Sequence, residues 1–462
     1  MAKNMEENGA RVESDLNKFF PLPFRVLFLL SLSVYLWYSV VFLCTRLTSI
    51  NILQLLNLSY NGDNYTTLEN TLPNTGEYGT TVSPNKTENE RLLYGIRKTM
   101  KWLTLSFGVS YSICMIIKLN YDSDNDSWAD LIPSKTYKEH LLITLLYFVL
   151  IFTALVYFFV KVFHKKNALG QLGTESSSGQ CRVYTTAKRV ILGRINSLTM
   201  RTNDILFSDS LVSYNRVLAD LSLLIMGILG GFDIAGANSS SNSIPVILVE
   251  AFFLCSPHCI RIAQCRKEYK LTGEKQHAYN MLKYFCGTLA IISNSALKMN
   301  SILQKREGAG FGNQEPEDNL LRWFYFFAFI SSTYSFLWDL IMDWGFELKT
   351  FGGRNFLRAD YLLFSPNSIL YYGIIFADFS VRFIWILRAF QAPENNSAWL
   401  GSAGNFFFGG GSLSLGYFAV EAFEILRRWL WCLIKIENDW IKLHFEAKKD
   451  FQMYPVSDKR RA

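Results

Sequence analysis

Charged residues interrupt three apolar stretches in the last third of the sequence. They are Asp339 and Asp343 within 326–346, Asp378 and Arg382 within 371–390, and Arg427 and Arg428 within 421–439. A charged side chain in the hydrocarbon core of a bilayer costs a few kcal/mol or more, so it turns toward water, an ion or an opposite charge. Arginine binds oxyanions bidentately, and carboxylates balance the arginines when no anion is bound. The residue types therefore predict a polar path for an anion.

The spacing of these residues indicates helices and leaves alternatives open. Asp339 and Asp343 are four residues apart, which places them on one face of an α-helix. Asp378 and Arg382 have the same spacing, and that pair is equally explained as a buried structural salt bridge. Glu424 precedes Arg428 by four residues, so a second structural pair there would leave Arg427 as the better anion ligand.

The elements that position these residues are predicted to be transmembrane helices. Hydrophobic residues make up 50% of the 462 residues and charged residues 18%, against about 25% in soluble domains. Long apolar runs predict an all-α polytopic membrane protein with about nine spans. The predicted spans are 24–44, 100–118, 140–162, 211–232, 244–262, 281–298, 321–341, 367–388 and 413–436. We expect no removed signal peptide, because residues 1–23 lack a cleavage pattern.

Lysine and arginine in the loops predict the orientation of the chain. The segments 163–210, 263–280 and 437–462 are basic, whereas 233–243 and 391–412 contain no Lys or Arg. The positive-inside rule then places the C-terminus in the cytosol and, with nine crossings, the N-terminus in the lumen. The predicted organisation is a luminal segment 1–23, N-terminal helices 24–162, a basic amphipathic linker 163–210, a core 211–440 and a basic tail 441–462.

One polar segment conflicts with this orientation. Residues 57–90 are rich in Asn, Thr and Gly and contain sequons at Asn57, Asn64 and Asn85, although the loop is predicted to be cytosolic. Because sequons are frequent by chance in such sequence, we interpret 57–90 as a disordered insertion. Glycosylation there would contradict either the first span or the orientation.

The sequence contains few signs of other functions. No nucleotide-binding loop or nucleophile–base pattern occurs in a suitable context, so we expect neither an enzyme nor a cofactor. The CSPHC stretch at 255–259 fits no metal spacing that we would accept, and no metal is expected. The formal charge of +7 is distributed over loops rather than one folded face, which disfavours nucleic-acid binding.

Five separated motifs resemble one membrane family. They are FSDSLVSYNRVLADLSLLI from Phe207, CIRIAQCRKEY with NMLKYF from Cys259, WDLIMDWG from Trp338, FADFSVRFIW from Phe376 and FEILRRWLWCLIKIEND from Phe423. In this order they resemble the EXS domain, the membrane part of the SPX-EXS phosphate exporters. We expect no SPX domain, because only 23 residues precede the first predicted span, and the chain then is similar to the short branch represented by the fungal ER-retention-defective proteins of the Golgi.

The resemblance implies a phosphate route between the EXS helices. The matching positions are Asp209, Lys283, Tyr284, Asp339, Asp343, Arg382, Trp385, Arg427 and Arg428. Several have simpler explanations: Lys283 as a flanking charge, Asp209 as a helix cap, Asp343 as an interfacial acid, and Tyr284 and Trp385 as packing residues. Asp378 and Glu424 are expected to form structural pairs.

The resemblance also implies the biological role. We expect a Golgi protein that returns inorganic phosphate from lumen to cytosol and so supports protein glycosylation and the retention of glycosyltransferases. One alternative is a sorting protein that recycles Golgi glycosyltransferases through a coat adaptor on the cytosolic tail. Another is phosphate export at the plasma membrane. The expected partners are phosphate and the lipid bilayer, and a second copy of the chain in a homodimer is a further alternative.

Overall fold

The computed structural model describes residues 20–56, 84–125, 149–163, 177–192, 201–230, 244–307, 315–346, 357, 362–364, 368–390, 399–409 and 414–453. Within these ranges the regular structure is helical and no strand occurs, which confirms the predicted all-α class.

The described ranges contain twelve α-helices of six residues or more, numbered in chain order. They are α1 (Leu22–Leu47), α2 (Pro84–Asn125), α3 (Val149–Val162), α4 (Ser177–Ile191), α5 (Arg201–Ser213), α6 (Asn215–Gly230), α7 (Ile244–Thr272), α8 (Lys275–Glu307), α9 (Glu315–Trp338), α10 (Ile369–Arg382), α11 (Trp399–Gly404) and α12 (Leu415–Met453). A short turn, Ile52–Leu55, follows α1. Helix α9 continues as a π-helical turn, Asp339–Asp343, α10 is followed by a 3₁₀ segment, Ile384–Phe390, and α11 by a π-helical turn, Asn405–Gly409.

The helices give a polytopic membrane protein. Three, at Leu22–Leu47, Ile244–Thr272 and Asp318–Asp343, are long and apolar enough to cross a bilayer. A fourth crossing results if α10 and its 3₁₀ segment, which meet at 43°, count as one broken span. The span predicted at 244–262 is among the three, although Pro257 lies inside α7. The total of nine crossings stays a prediction.

Helix α12 is central to the packing. It contacts α1, α5 and α10 and both π-helical turns, while α8 packs along α7 and α9. The largest core includes Cys44 of α1, Trp344 after α9, Tyr371 of α10 and Trp431 of α12. Many large apolar side chains remain exposed, Phe252 at 67% and Phe376 at 71% among them, as expected for helices that face lipid.

The end of α9 departs from the regular helix predicted for 326–346. Trp344 N–H donates to the Asp339 carbonyl at 2.8 Å, a π-helical i to i+5 bond, and Phe346 N–H donates to Leu340 at 2.9 Å. Gly345 has φ +69, the left-handed conformation that ends helices with such a bond. The side chain of Asn438 on α12 donates to the Asp343 carbonyl at 2.8 Å and so fixes this end.

Two segments that the sequence assigns to connections contain helix. Residues 84–90 of the predicted insertion 57–90 lie in α2, and Asn89 donates to the Ile50 carbonyl at 2.7 Å, so a disordered segment would end earlier. Residues 57–83, with the sequons at Asn57 and Asn64, are outside the described residues. The predicted linker 163–210 contains α4 and most of α5, which Arg189 and Asp204 join by an ion pair.

Candidate anion site

A cavity of about 240 Å³ lies where α5 to α10 and α12 converge with the π-helical turn after α11. It is lined by Val212, Asn215, Arg216, His258, Lys283, Tyr284, Gly287, Ser331, Ser332, Ser335, Val381, Arg382, Ile384, Trp385, Phe408, Val420, Glu424, Arg427 and Arg428. Five of these side chains are Lys or Arg and only one is a carboxylate. The chemistry of the wall is therefore suited to an anion that accepts several hydrogen bonds.

Two of the five cations are held by carboxylates. Arg382 Nε lies 3.0 Å from Asp378 Oδ2, and Arg427 Nη1 lies 2.7 Å from Asp378 Oδ1, so one carboxylate bridges both guanidinium groups. Asp339 forms an ion pair with Arg382 and lies 3.8 Å from Arg427. Glu424 also pairs with Arg427. Buried arginines require such partners, because an isolated buried charge is costly.

The other three cations are not neutralised in this way. Lys283, Arg428 and Arg216 form no ion pair with a carboxylate in the part of the chain that the structure describes. Lys283 Nζ instead lies over the rings of Tyr284 and Trp338, at 4.6 and 5.3 Å from their centroids. The Arg428 guanidinium is 4.6 Å from the Trp431 centroid. Aromatic faces hold a cation in place without cancelling its charge.

The alternative in which Arg428 pairs with Glu424 does not hold. Glu424 pairs with Arg427, whereas Arg428 Nε donates to Ser213 Oγ at 3.0 Å. Ser213 Oγ in turn donates to Glu424 at 2.9 Å. The i,i+3 contact replaces the expected i,i+4 contact because Arg427 must also reach Asp378 on α10. Arg428 thus has the guanidinium that is more available to a ligand.

The predicted acids lie behind the cavity wall. Asp209 on α5 is 2.7 Å from Arg261 Nε and accepts a hydrogen bond from the Tyr284 hydroxyl at 2.5 Å. It is buried and within the helix, so it does not cap α5. Asp209 therefore orients Tyr284, one of the residues that line the cavity.

Asp339 and Asp343 have different partners, although the spacing predicts one shared face. Asp339 pairs with the cavity arginines, whereas Asp343 Oδ1 lies 3.5 Å from Lys435 Nζ on α12. The π-helical turn between them changes the angular relation of the two side chains. Asp343 does not line the cavity. Its side chain is largely buried in the protein.

A helix break brings Trp385 to the cavity. The helix α10 ends at Arg382, because Phe383 leaves the helical region with φ −102 and ψ 8. Ser332 on α9 satisfies both sides of the break: its hydroxyl donates to the Arg382 carbonyl at 3.0 Å and accepts from the Trp385 indole at 2.9 Å. The sequence predicted both side chains at one site but on a continuous helix.

Of the predicted site residues, six line the cavity: Arg382, Arg427, Arg428, Lys283, Tyr284 and Trp385. Arg216, Arg261 and His258 were not among the predicted site residues, although Arg261 lies within an apolar stretch, which is the feature that identified the other arginines. His258 packs closely on Gly287, where a Cβ would lie 2.9 Å from the imidazole. The serines of α9 have no distinctive sequence context.

Comparison with known proteins identifies the family. The EXS family model matches residues 20–441. The chain belongs to the EXS family. This EXS protein is 26% identical to protein ERD1 of Saccharomyces cerevisiae over 267 residues, which are 56% of this chain and 62% of that protein. It is 27% identical to ERD1 homolog 1 of Schizosaccharomyces pombe over 292 residues, or 61% and 66% of the two chains.

A solute carrier is a third relative. Human solute carrier family 53 member 1 is 28% identical over 212 residues, which are 45% of this chain and 27% of that protein. The alignments cover less than two thirds of each of these relatives. The predicted resemblance to the EXS family and its ERD1-like branch is confirmed.

Proposed function

We propose that this EXS protein is a transporter of inorganic phosphate and that the cavity is its phosphate site. The main support is that Lys283, Arg428 and Arg216 face the cavity without an ion-paired carboxylate. Phosphate offers several acceptor oxygens and a negative charge, which the three cations and the hydroxyls of Ser331 and Ser335 on the cavity wall complement. The similarity to a protein named as a solute carrier favours transport over catalysis.

The arrangement has features that suit conduction rather than tight retention. A site that passes an anion must bind it strongly enough to admit it and weakly enough to release it. The carboxylates behind Arg382 and Arg427 lower the net positive charge of the wall. The free cations compensate the loss of phosphate hydration on entry, and the paired ones limit the affinity.

We further propose that phosphate moves from the Golgi lumen to the cytosol, with the C-terminus in the cytosol and the N-terminus in the lumen. Such return of a glycosyltransfer by-product would support glycosylation and the retention of glycosyltransferases. The domain division into N-terminal helices 24–162, linker 163–210, core 211–440 and tail 441–462 belongs to the same proposal. The resemblance of the motifs to the short, ER-retention-defective branch of the family is what favours the Golgi over the plasma membrane.

Phosphate flux tests the transport proposal. The full chain is reconstituted in vesicles and radiolabelled phosphate uptake is measured for wild type and for Lys283→Met, which keeps the side-chain volume and removes the charge. We expect the variant to lose most of the flux. Arg388→Met is the matched control, because Arg388 is half-buried in the 3₁₀ segment that follows α10, donates to Asn294 Oδ1 at 2.7 Å and does not line the cavity. Equal flux in wild type and Lys283→Met would refute the proposed site.

A sorting function is the second candidate. Helix α12 continues to Met453, well beyond the span predicted to end at 436, and provides a helical segment for a coat adaptor. Deleting residues 441–462 should mislocalise Golgi glycosyltransferases and leave phosphate flux intact if sorting uses the tail. Lys283→Met should have the opposite effect. A tagged full chain found at the cell surface would instead favour phosphate export.

A further inference from the structure

A second buried group lies beside the cavity, between α6 and α12. Asp220 and Glu421 are exposed at only 4% and 3%, and neither forms an ion pair with a Lys or Arg side chain of the described residues. The two helices adjoin here, because Val217 of α6 and Ile425 of α12 belong to one hydrophobic core. Two buried carboxyl groups on adjoining helices without a paired cation are costly when both are ionised, so this arrangement favours a proton on one of them.

One oxygen of the pair has no partner. Oε1 of Glu421 is fully buried and lacks a hydrogen bond to any residue that the structure describes. A buried oxygen without a donor is costly when it is charged and less costly when it is protonated. Oε1 of Glu421 is therefore an atom at which a proton can bind and be released.

Other charged and titratable groups act on the pair from neighbouring helices. Glu250 of α7 faces it, but it is bound by Lys298 of α8 at 2.6 Å. Arg25 of α1, Tyr417 of α12 and Arg216 of α6 complete the set. The Arg216 guanidinium lies 5.2 Å from the Tyr417 ring centroid.

Arg216 connects the pair to the cavity. It lines the cavity and precedes Asp220 by four residues, so the two side chains lie on one face of α6. It forms no ion pair with a carboxylate in the described ranges. When the Asp220–Glu421 pair loses its proton, the extra negative charge attracts Arg216 away from an anion in the cavity. When the pair is protonated, Arg216 is available to that anion.

We propose that the Asp220–Glu421 pair is the proton site that couples proton movement to phosphate transport in this protein. The proposal rests on the proposed transport function and adds its coupling ion. A proton passes from water to a carboxylate oxygen of the pair, phosphate then binds with Arg216, and both leave on the other side. No covalent bond other than O–H changes. Because each ligand favours the other, proton and phosphate move in the same direction.

Phosphate accumulation in reconstituted vesicles tests the coupling. The full chain is given equal phosphate on both sides, a clamped membrane potential and a gradient of about one pH unit, which supplies up to roughly tenfold phosphate accumulation per coupled proton. We expect wild type to accumulate phosphate on the alkaline side and Glu421→Gln to equilibrate it. Since the gradient also changes phosphate ionisation, any response left in Glu421→Gln measures that effect.

Two controls keep the result interpretable. Glu421→Asp retains a carboxyl and should restore accumulation, whereas Glu268→Gln removes an acid that pairs with His277 at 2.9 Å and should accumulate phosphate like wild type. A protonated carboxyl also has its own infrared C=O band, which should be present at neutral pH and disappear in the Asp220→Asn, Glu421→Gln double variant.

The outcomes separate the two proposals. Wild type that carries phosphate but does not accumulate it in the gradient overturns the coupling and leaves the transport function standing. Accumulation that persists in Glu421→Gln overturns the assignment of the site. Wild type that carries no phosphate overturns the transport function and the coupling together. In that case the infrared band still decides whether the pair binds a proton.

Discussion

The cations around the cavity divide into two groups that differ in their surroundings. Arg382 and Arg427 share Asp378 and contact Asp339, so each is fixed by at least one carboxylate from another helix or turn. Lys283 and Arg428 lie instead over aromatic rings. The first group can be regarded as a scaffold that joins α9, α10 and α12. The second keeps its charge for a ligand.

This difference separates two roles that the sequence cannot distinguish. All four residues are cations in apolar segments, and each alone is compatible with a salt bridge or with an anion site. The distinction depends on which carboxylates the tertiary structure brings within reach. Removing a carboxylate that pairs with the first group should therefore affect folding. Removing a cation of the second group should affect transport.

The largest expected effect follows from removing the shared carboxylate. Asp378→Ala leaves the buried Arg427 and the largely buried Arg382 with one partner fewer each, and breaking a buried ion pair from one side typically costs about 3–5 kcal/mol. We expect a large drop in the thermal unfolding temperature in detergent. Asp439→Ala is a suitable control, because Asp439 pairs at 3.1 Å with Lys435, which also faces Asp343. If the Asp378→Ala protein is stable but does not transport phosphate, Asp378 serves the phosphate site rather than the fold.

The next effect should be selective for transport. Arg428→Ala removes a cation that has no ion-paired acid, so its loss leaves no unpaired carboxylate. A charged hydrogen bond to phosphate is worth about 1.5–3 kcal/mol, or roughly ten- to a hundredfold in flux. Flux in vesicles and thermal unfolding are measured together. Arg428→Lys should recover part of the flux, and loss of folding in Arg428→Ala would contradict the division into two groups.

Much of this architecture could be predicted from the sequence. The apolar runs predicted the helical class, and charged residues within them identified Arg382, Arg427, Arg428 and Lys283. These signals are local, because a charge in an apolar run is visible without its neighbours. The EXS motifs then predicted that the residues share one site.

The irregular backbone and the pairing could not be predicted. The π-helical turn after α9 and the break at Phe383 depend on contacts with Asn438 and Ser332, which are distant in sequence. Glu424 forms its ion pair with Arg427 rather than with Arg428, and this pairing likewise depends on the position of Asp378 on another helix. Helical spacing predicts which residues share a face, but such irregularities change the face.

A third effect concerns the backbone that positions Asp339. At Gly345, φ is +69 and a Cβ would lie 2.7 Å from Asn438 Oδ1, so Gly345→Ala should destabilise the protein by about 1–3 kcal/mol. Gly373→Ala is the matched control: nothing lies within 4 Å of its Cβ position in α10, and the change should be neutral or slightly stabilising. Thermal unfolding compares the two. If Gly345→Ala and Gly373→Ala unfold at the same temperature, the turn tolerates another backbone geometry, and the ion pairs of Arg382 and Arg427 do not depend on it.

The smallest effect tests whether the helix break belongs to the scaffold or to the ligand site. Ser332→Ala removes the donor to the Arg382 carbonyl and the acceptor of the Trp385 indole, and each hydrogen bond is worth about 0.5–1.5 kcal/mol. Ser380→Ala removes a comparable bond, from its hydroxyl to the Phe376 carbonyl at 2.8 Å, on an exposed face of α10. If the break only supports the fold, both variants lose a little stability and keep their phosphate affinity. Because Ser332 and Trp385 both line the cavity, we expect Ser332→Ala alone to weaken phosphate binding severalfold, with Arg382 still held by its two carboxylates.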